Sequence, residues 1–329
     1  MVEAPVIAAC FEHTETSTAD SMTDTRTSLA ILSDQLADAA ATAGASIVAV
    51  HARPRLPSTG IHWQDGVVVT TDGTVRRDSD ITVTLADGRK LPATLVGRDR
   101  STDLAVLRVA DGSLPTARLG DPSSLKPGHL VLALARLGEG GPRVSFGAVS
   151  AVAGRWRSWK GGEIDRLLQS NLTLYPGFGG GPLVDATGQI HGINSGGLSR
   201  AFATTIPVDT VNRVVRQLLE RGYVARGWLG AAMQPVRFNP AAQSRLKLDG
   251  DSGLVILSVE PDGPAASAGL LVGDVIVKLA GRAIEDVEDL VDALSRTDVV
   301  GRTFDLDLVR GGERVKAHVV IGERPRRAS

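Results

Sequence analysis

The chain has 329 residues, enough for about two domains, and its 43% of hydrophobic residues is ordinary for a globular protein. Lysine plus arginine (36) nearly cancels aspartate plus glutamate (37), which excludes a strong overall field attracting nucleic acid or a membrane surface. One cysteine excludes an internal disulfide and a multi-cysteine metal site, and the six histidines lack HxxxH or HExxH spacing. We therefore expect no metal and no cofactor.

Residues 1–27 carry five acids and one base and contain no long apolar run. A secretory signal requires a basic start and an apolar core of about 7 to 15 residues. The segment therefore predicts a disordered leader, with Met22 as an alternative start of the chain. Around Cys10 the sequence resembles a lipoprotein cleavage site, but it lacks the charged start and apolar core of one. No stretch approaches the ~20 apolar residues of a membrane span.

The next part of the chain predicts one helix and many short strands. Apolar residues at helical spacing predict a helix from Ser28 to Gly44, followed by a strand over 46–50. Alternating apolar residues on both sides of Asp87-Gly88 predict a hairpin. Further strands are predicted at 104–109, 130–135, 148–152 and 189–193. So many short strands separated by glycine, proline and aspartate are typical of a barrel or sandwich.

A change of pattern then marks a second domain. A long amphipathic helix is predicted over 208–220, with Gly222 at its end. After a short link, a strand, a helix over 287–294 and a hairpin describe an α+β domain of about 95 residues. The predicted divisions are a leader at 1–27, domains at 28–222 and 228–322, a linker at 223–227 and a basic tail at 323–329.

Short strings recur along the chain in a recognisable order. They are 81–88 (ITVTLADG), 96–99 (VGRD), 102–107 (TDLAVL), 120–123 (GDPS), 180–184 (GGPLV), 192–194 (GIN) and 226–230 (RGWLG). In this order and spacing they resemble the HtrA (DegP-like) family of serine proteases, over about residues 28–322. The resemblance implies a mainly β fold: a chymotrypsin-like double six-stranded β-barrel with its active site between the barrels, followed by an α+β PDZ domain.

Family members cleave peptides with a serine nucleophile, a histidine base and an aspartate that orients the histidine. By resemblance, the aspartate position is Asp103. The histidine position in 69–74 (VTTDGT) falls on Gly73, and the serine position in 177–183 (GFGGGPL) falls on Gly179. Glycine offers neither an oxygen to acylate nor an imidazole, and losing such a group costs about 10⁶ in turnover. We therefore predict a catalytically inactive protease homologue.

Four other side chains are candidates for the missing base and nucleophile. His62 lies eleven residues before Gly73, on the strand across the 64–66 turn, so its side chain is expected about 13 Å from the Gly73 position. Ser195 stands in a serine-like string (NSGG), but this string follows the strand that walls the substrate pocket in the family. His191 is interpreted as an ordinary strand residue and not as a base. Ser170 lies nine residues before Gly179 and has no histidine base to activate it. An active endopeptidase with an unrecognised nucleophile remains the alternative interpretation.

A second alternative assigns the cleft to an anion or a metal through Asp72 and Asp103, although two carboxylates without histidine are a poor transition-metal set. Without its histidine, Asp103 is expected to pair with Thr70, Thr71 or an arginine, or to have a raised pKa. The oxyanion hole of the family is made of main chain, so its N–H groups are expected to persist. They belong to Gly177, Phe178 and Gly179.

The loop at 154–162 interleaves three basic residues with two tryptophans. By position it resembles the regulatory loop of the family, which senses a ligand on the PDZ domain. Tryptophan and arginine commonly anchor interfaces, whereas a loop whose rings cover the barrel end, or one that stacks on nucleic-acid bases, are the alternatives. No nucleic-acid partner is expected from the overall charge. The candidate regulatory residues are Arg155, Trp156, Arg157 and Trp159.

A PDZ domain binds a carboxyl terminus by adding it as a strand beside a helix. The string 228–231 (WLGA) resembles the loop that holds the carboxylate, and the strand after it would receive the peptide. Apolar residues at i, i+3, i+4 and i+7 of the predicted helix would form the facing wall, about half of them serving the core. The predicted peptide-binding residues are Trp228, Leu229, Gly230, Ala231, Met233, Val287, Leu290, Val291 and Leu294.

Peptides or protein carboxyl termini are therefore the implied partners, and an adaptor, scaffold or regulatory role is the implied function. The resemblance further implies a homotrimer formed through the first domain and a location in the cell envelope. Residues 1–45 show no aromatic cluster that would support the trimer contact, and they show no signal segment that would support the location.

Overall fold

The computed structural model describes residues 27–110, 114–199, 204–295 and 299–325. The predicted leader up to residue 26 and the end of the basic tail lie outside these residues. Within them, two closed six-stranded barrels precede a domain built on one six-stranded sheet. The predicted mainly β fold, a double barrel followed by an α+β domain, is confirmed. No helix among these residues is both long and apolar enough to cross a membrane.

A helix, α1, leads into the first barrel. It spans Ser28–Gly44 as predicted, and the hydroxyl of Thr27 accepts a backbone N–H at its start. Its buried face consists of small residues, so it lies close against the second barrel. The buried guanidinium of Arg136 donates to the carbonyls of Gly44 (3.1 Å) and Ile47 (2.8 Å). This arginine ties the end of the helix and the first strand to the second barrel.

Six strands form the first barrel. They are β1 (Ile47–His51), β2 (Ser58–Gln64), β3 (Val67–Thr70), β4 (Ile81–Thr84), β5 (Lys90–Asp99) and β6 (Leu104–Val109). The order around the barrel is β1-β2-β3-β6-β5-β4, with all neighbours antiparallel. β4 and β5 are the predicted hairpin, and its turn holds Gly88 at φ +87°, a conformation that favours glycine. Valine side chains such as Val50, Val68 and Val83 fill the interior.

The second barrel is built from the following part of the chain. Its strands are β7 (Leu130–Ala135), β8 (Arg143–Ala153), β11 (Leu167–Ser170), β12 (Pro182–Asp185), β13 (Ile190–Ser195) and β14 (Thr204–Pro207), while β9 (Trp156–Arg157) and β10 (Glu163–Ile164) form a separate ribbon. The order around the barrel is β11-β14-β13-β12-β7-β8. The strand predicted at 148–152 is the end of the longer β8, which begins five residues earlier.

The predicted amphipathic helix, α2, spans Val208–Arg221. Its buried stripe of Val211, Val215 and Leu218 packs against strands of both barrels. The helix ends at Gly222, which has φ +76° and donates its N–H to the carbonyl of Leu218 (2.8 Å). The helix therefore braces the two barrels against each other and delivers the chain to the second domain.

The second domain follows within a few residues. Its elements are β15 (Gly227–Trp228), β16 (Ala231–Arg237), α3 (Pro240–Leu246), β17 (Ser252–Val259), α4 (Pro264–Ser267), β18 (Val275–Leu279), β19 (Arg282–Ala283), α5 (Val287–Leu294), β20 (Thr303–Arg310), β21 (Glu313–Val320) and β22 (Gly322–Glu323). The sheet has the order β16-β17-β18-β20-β21, and β19 pairs with β18. β15 pairs with β22, which brings the end of the described chain beside the 228–231 loop. The core of the second domain includes Leu254, Ile276 and Leu306.

Candidate functional site

Asp103 lies at the floor of the cleft between the barrels. It precedes β6 in a left-handed conformation (φ +56°) and is only 2% exposed. Its carboxylate accepts the N–H of Gly73 (2.9 Å) and the hydroxyl of Ser195 (2.6 Å). Burial raises the pKa of Asp103. Of the two expected outcomes for Asp103, the structure agrees with the raised pKa; its hydroxyl partner is Ser195 rather than a threonine or an arginine.

Gly73 lies in a short 3₁₀ turn, Asp72–Thr74, directly above Asp103. A β-carbon built at Gly73 would come near one atom, Oδ1 of Asp103, at 3.2 Å. The turn is fixed by Arg98, which donates to the carboxylate of Asp72 (3.2 Å) and the carbonyl of Val75 (3.1 Å). The position is exposed and its φ is not positive, so a side chain fits there once the Asp103 carboxylate shifts by a few tenths of an ångström.

Gly179 lies in the loop between β11 and β12. A β-carbon there would make ordinary 3.5 Å contacts with the hydroxyl of Thr71 and the methyl of Thr74. At Gly180, by contrast, φ is +87° and a β-carbon would collide with the carbonyl of Thr59. Gly181 is equally confined by the second barrel. In the run 179–181, Gly179 is therefore the glycine that the backbone does not require.

The main chain beside Gly179 keeps part of the expected N–H nest. The N–H of Phe178 is not available to a ligand, because it donates to the carbonyl of Tyr175 (3.0 Å). The N–H groups of Gly177 and Gly179 donate to no other group within the described part of the chain. The Phe178 ring is buried and meets Tyr175 edge-on, with ring centroids 5.8 Å apart. The predicted three-donor nest is thus reduced to two donors.

The other imidazoles near the barrels are engaged elsewhere. Nδ1 of His62 lies 3.1 Å from the carbonyl of Pro115. His191 is held between the carboxylate of Asp185 (2.9 Å) and the carbonyl of Asp121 (3.1 Å). Among the described residues, neither imidazole contacts the cleft, and no group of three or more metal-ligating side chains occurs.

Ser195 is fully buried at the end of β13. Its hydroxyl donates to Asp103 and accepts the N–H of Gly197 (2.9 Å). Gly197 in turn closes over the aspartate: a β-carbon there would lie 2.7 Å from Oδ2 of Asp103. The serine therefore orients and covers the carboxylate, and no imidazole lies within its hydrogen-bonding set.

The loop at 154–162 contacts both domains. Arg157 forms an ion pair with Asp292 on α5 and donates to the carbonyl of Val291 (3.3 Å). The indole N–H of Trp159 donates to the carbonyl of Gly197 (2.8 Å), beside the cleft. Of the other two candidate residues, Arg155 pairs with Glu163 (2.9 Å), and Trp156 packs against the core of the first domain. The loop thus joins helix α5 to the segment that covers Asp103.

A groove of about 370 Å³ lies between β16 and α5 of the second domain. All nine predicted peptide-binding residues line it. Leu290 and Leu294 are buried beneath it, whereas Val287 and Val291 are 39% and 40% exposed on its wall. Gly230, at φ +76°, lies between Trp228 and the start of α4, where a β-carbon would be crowded. The remaining lining residues, which sequence reasoning missed, are Lys160, Gly161, Arg226, Gly227, Leu254, Ser295 and Arg324.

Comparison with known proteins places both regions in a wider context. A trypsin-like peptidase domain model matches residues 58–193, and a PDZ domain model matches residues 227–321. The chain is 35% identical over 278 residues to a probable periplasmic serine endoprotease DegP-like from Halomonas elongata, covering 83% of this chain and 57% of that protein. A protein of the same description from Pseudomonas putida is 36% identical over 269 residues, covering 79% and 54%.

The chain therefore spans about half the length of these curated relatives. Among solved structures, the HtrA-type protease AlgW with tripeptide has a TM-score of 0.69 and 30% sequence identity to this chain. That match covers 89% of this chain and 98% of the AlgW chain, so it includes both domains.

Proposed function

The chain belongs to the HtrA family, with a trypsin-like domain followed by a PDZ domain, and we propose that it is a catalytically inactive member. In this proposal the PDZ domain binds the carboxyl termini of peptides or proteins. The chain then acts as an adaptor, scaffold or regulator. The names of its relatives describe them as periplasmic. We therefore propose a location in the cell envelope for this chain.

Glycine at the two reactive positions carries this proposal. Gly73 and Gly179 flank a carboxylate that has the surroundings of an orienting aspartate, yet neither position demands glycine sterically. The cleft therefore has the frame of a serine protease without the nucleophile and the base. Losing these groups removes about 10⁶ in turnover, and what remains comes from backbone donors and binding.

The surroundings of Ser195 argue against the alternative, an active endopeptidase that uses this serine. A nucleophile needs an exposed hydroxyl and a base within about 3.2 Å. Ser195 is fully buried, and its hydroxyl proton is directed to Asp103 (2.6 Å). The Asp103 carboxylate is a proton acceptor within this distance, so it is the burial of the hydroxyl, away from any substrate, that argues against Ser195 as a nucleophile.

The groove of the PDZ domain supports the binding half of the proposal. Its wall keeps Val287 and Val291 partly exposed, although apolar side chains gain about 25 cal/mol for each Å² that is buried. An apolar carboxyl-terminal residue placed between β16 and α5 would cover both. The HtrA-type protease AlgW was solved with a tripeptide, which supports a peptide as the class of ligand for this chain.

Labelling with a fluorophosphonate probe tests the inactive state. We expect the chain to remain unlabelled and to leave casein intact during long incubation, while an active serine protease in a parallel sample is labelled. The Ser195→Ala variant serves as the matched control. Labelling of the natural chain that disappears in Ser195→Ala would overturn the proposal in favour of the alternative.

A further inference from the structure

The charged side chains that line the peptide groove are all cationic. They are Lys160, Arg226 and Arg324, and among the described residues no acidic side chain lines it. Lys160 belongs to the 154–162 loop of the first domain, so two domains contribute to the groove. The groove is therefore more than a property of the PDZ domain alone.

The three cations differ in how far their charge is already balanced. The guanidinium of Arg226 donates to the buried carboxylate of Asp99 (2.8 Å). Three acidic residues, Glu288, Asp289 and Asp292, lie on α5 between its apolar positions, and Asp292 is engaged by Arg157 and Arg282. The ammonium of Lys160 lies 5.3 Å from the centroid of the Trp159 ring and forms no ion pair with a described residue. Lys160 is thus an exposed charge that lines the groove; it also acts on the buried carboxylate of Asp103, where it partly opposes the rise in pKa that burial causes.

Strand geometry decides which part of a ligand meets this lysine. Successive side chains of an added strand point to opposite faces. When the last side chain enters the apolar floor made by Leu229, Leu290 and Leu294, the penultimate one points away from it. The loop that carries Lys160 approaches the groove from the first domain, outside that floor.

We propose that the groove selects carboxyl termini in which an aspartate or glutamate precedes an apolar last residue, with Lys160 as the specificity-determining residue. This inference rests on the proposed peptide-binding function. An acidic penultimate side chain pairs with Lys160, whereas a basic one is repelled by Lys160 and Arg324. Exposed ion pairs are weak, so the preference is about three- to tenfold rather than absolute.

Fluorescence anisotropy with the full chain tests the preference. Two labelled octapeptides ending in Val-Glu-Leu and Val-Lys-Leu with free carboxylates are compared, together with a Val-Glu-Leu peptide whose end is amidated. We expect the glutamate peptide to bind about three- to tenfold more tightly than the lysine peptide. Raising the salt concentration to 0.5 M should shrink this ratio, because exposed charges are screened.

Charge reversal identifies the residue responsible. Lys160→Glu should reverse the order of the two peptides, and Lys160→Gln should shrink the difference to the part that Arg324 supplies. Lys316→Glu, an equally exposed change on β21 outside the groove, should leave the order unchanged. Equal affinities in the natural chain, or a glutamate preference that survives in Lys160→Glu, would overturn the inference. If the free and amidated peptides bind equally or not at all, the proposed carboxyl-terminus binding itself fails.

Discussion

The cleft of the first domain and the groove of the second both depend on glycine, but for opposite reasons. In the groove, Gly230 has φ +76° and close neighbours on several sides, so the backbone of this loop requires glycine. In the cleft, neither Gly73 nor Gly179 has a positive φ; a β-carbon would make ordinary contacts at Gly179 and one tight contact, 3.2 Å to Oδ1 of Asp103, at Gly73. The comparison distinguishes a glycine that the backbone conformation requires from two glycines at the proposed positions of the base and the nucleophile.

Substitutions in the loop before β12 give the largest expected contrast. Gly180→Ala should lower the free energy of unfolding by about 3 kcal/mol, because its β-carbon collides with Thr59 in a left-handed backbone. Gly179→Ala, one residue earlier, should change it by less than about 1 kcal/mol. Urea denaturation of both variants measures the difference. Equal losses would mean that Gly179 is retained for its shape, which would remove the distinction drawn here.

An acidic side chain on the groove wall tests the other side of the comparison. Val291→Asp should weaken the binding of an apolar carboxyl-terminal peptide at least tenfold, since it places a charge where the ligand buries apolar surface. Val320→Asp is the matched control, because Val320 is 54% exposed on β21 outside the groove. Isothermal titration of the full-length variants measures both affinities. Parallel losses in the two variants would contradict a peptide site at this wall.

The raised pKa of Asp103 predicts a pH dependence of stability. The folded chain holds this proton more firmly than the unfolded chain, so stability falls as the pH rises from about 4 through the raised value. Asp103→Asn has no proton to lose at this position. Between pH 4 and pH 7 its free energy of unfolding should therefore rise, relative to that of the natural chain, by about 1.4 kcal/mol for each unit by which folding raises the pKa of Asp103.

Urea unfolding of both proteins at pH 4 and pH 7 measures this gain. Asp262→Asn, at an exposed position of the second domain, corrects for the general effect of removing a negative charge. A difference between Asp103→Asn and the natural chain that stays constant with pH would show that the aspartate is not penalised by burial.

The 154–162 loop links the two regions. Breaking its contact with α5 should have the smallest effect on the free energy of unfolding. Arg157→Ala breaks the contacts to α5 and should cost less than about 1 kcal/mol, since the pair with Asp292 is partly exposed. Hydrogen exchange should nevertheless speed up both in α5 and at 195–198. Arg155→Ala is the control, because it breaks an ion pair with Glu163 on β10 and not a contact with α5. Faster exchange confined to α5 would show that the loop does not connect the two sites.

The sequence was most informative where a function depends on a local string. The 228–231 loop and the apolar spacing of α5 identified nine residues that all line one groove. The two-barrel fold followed from the ordered strings that resemble a known family, and the glycine positions followed from the same strings.

Contacts between distant segments were not predictable in this way. Ser195 is 92 residues from Asp103 in sequence, and its role appears only when β13 closes the barrel. Lys160 reaches the groove because the loop folds against α5, and no pattern in either segment contains that information. The internal hydrogen bond that occupies the N–H of Phe178 depends on the conformation of one turn.

Restoring the two lost side chains tests the central claim most directly. The Gly73→His/Gly179→Ser double variant should gain fluorophosphonate labelling, because the orienting carboxylate and two backbone donors are already present. The natural chain and each single variant should stay at background under the same conditions. Labelling of the natural chain at the level of the double variant would contradict the account, since it would prove a working nucleophile that does not depend on positions 73 and 179.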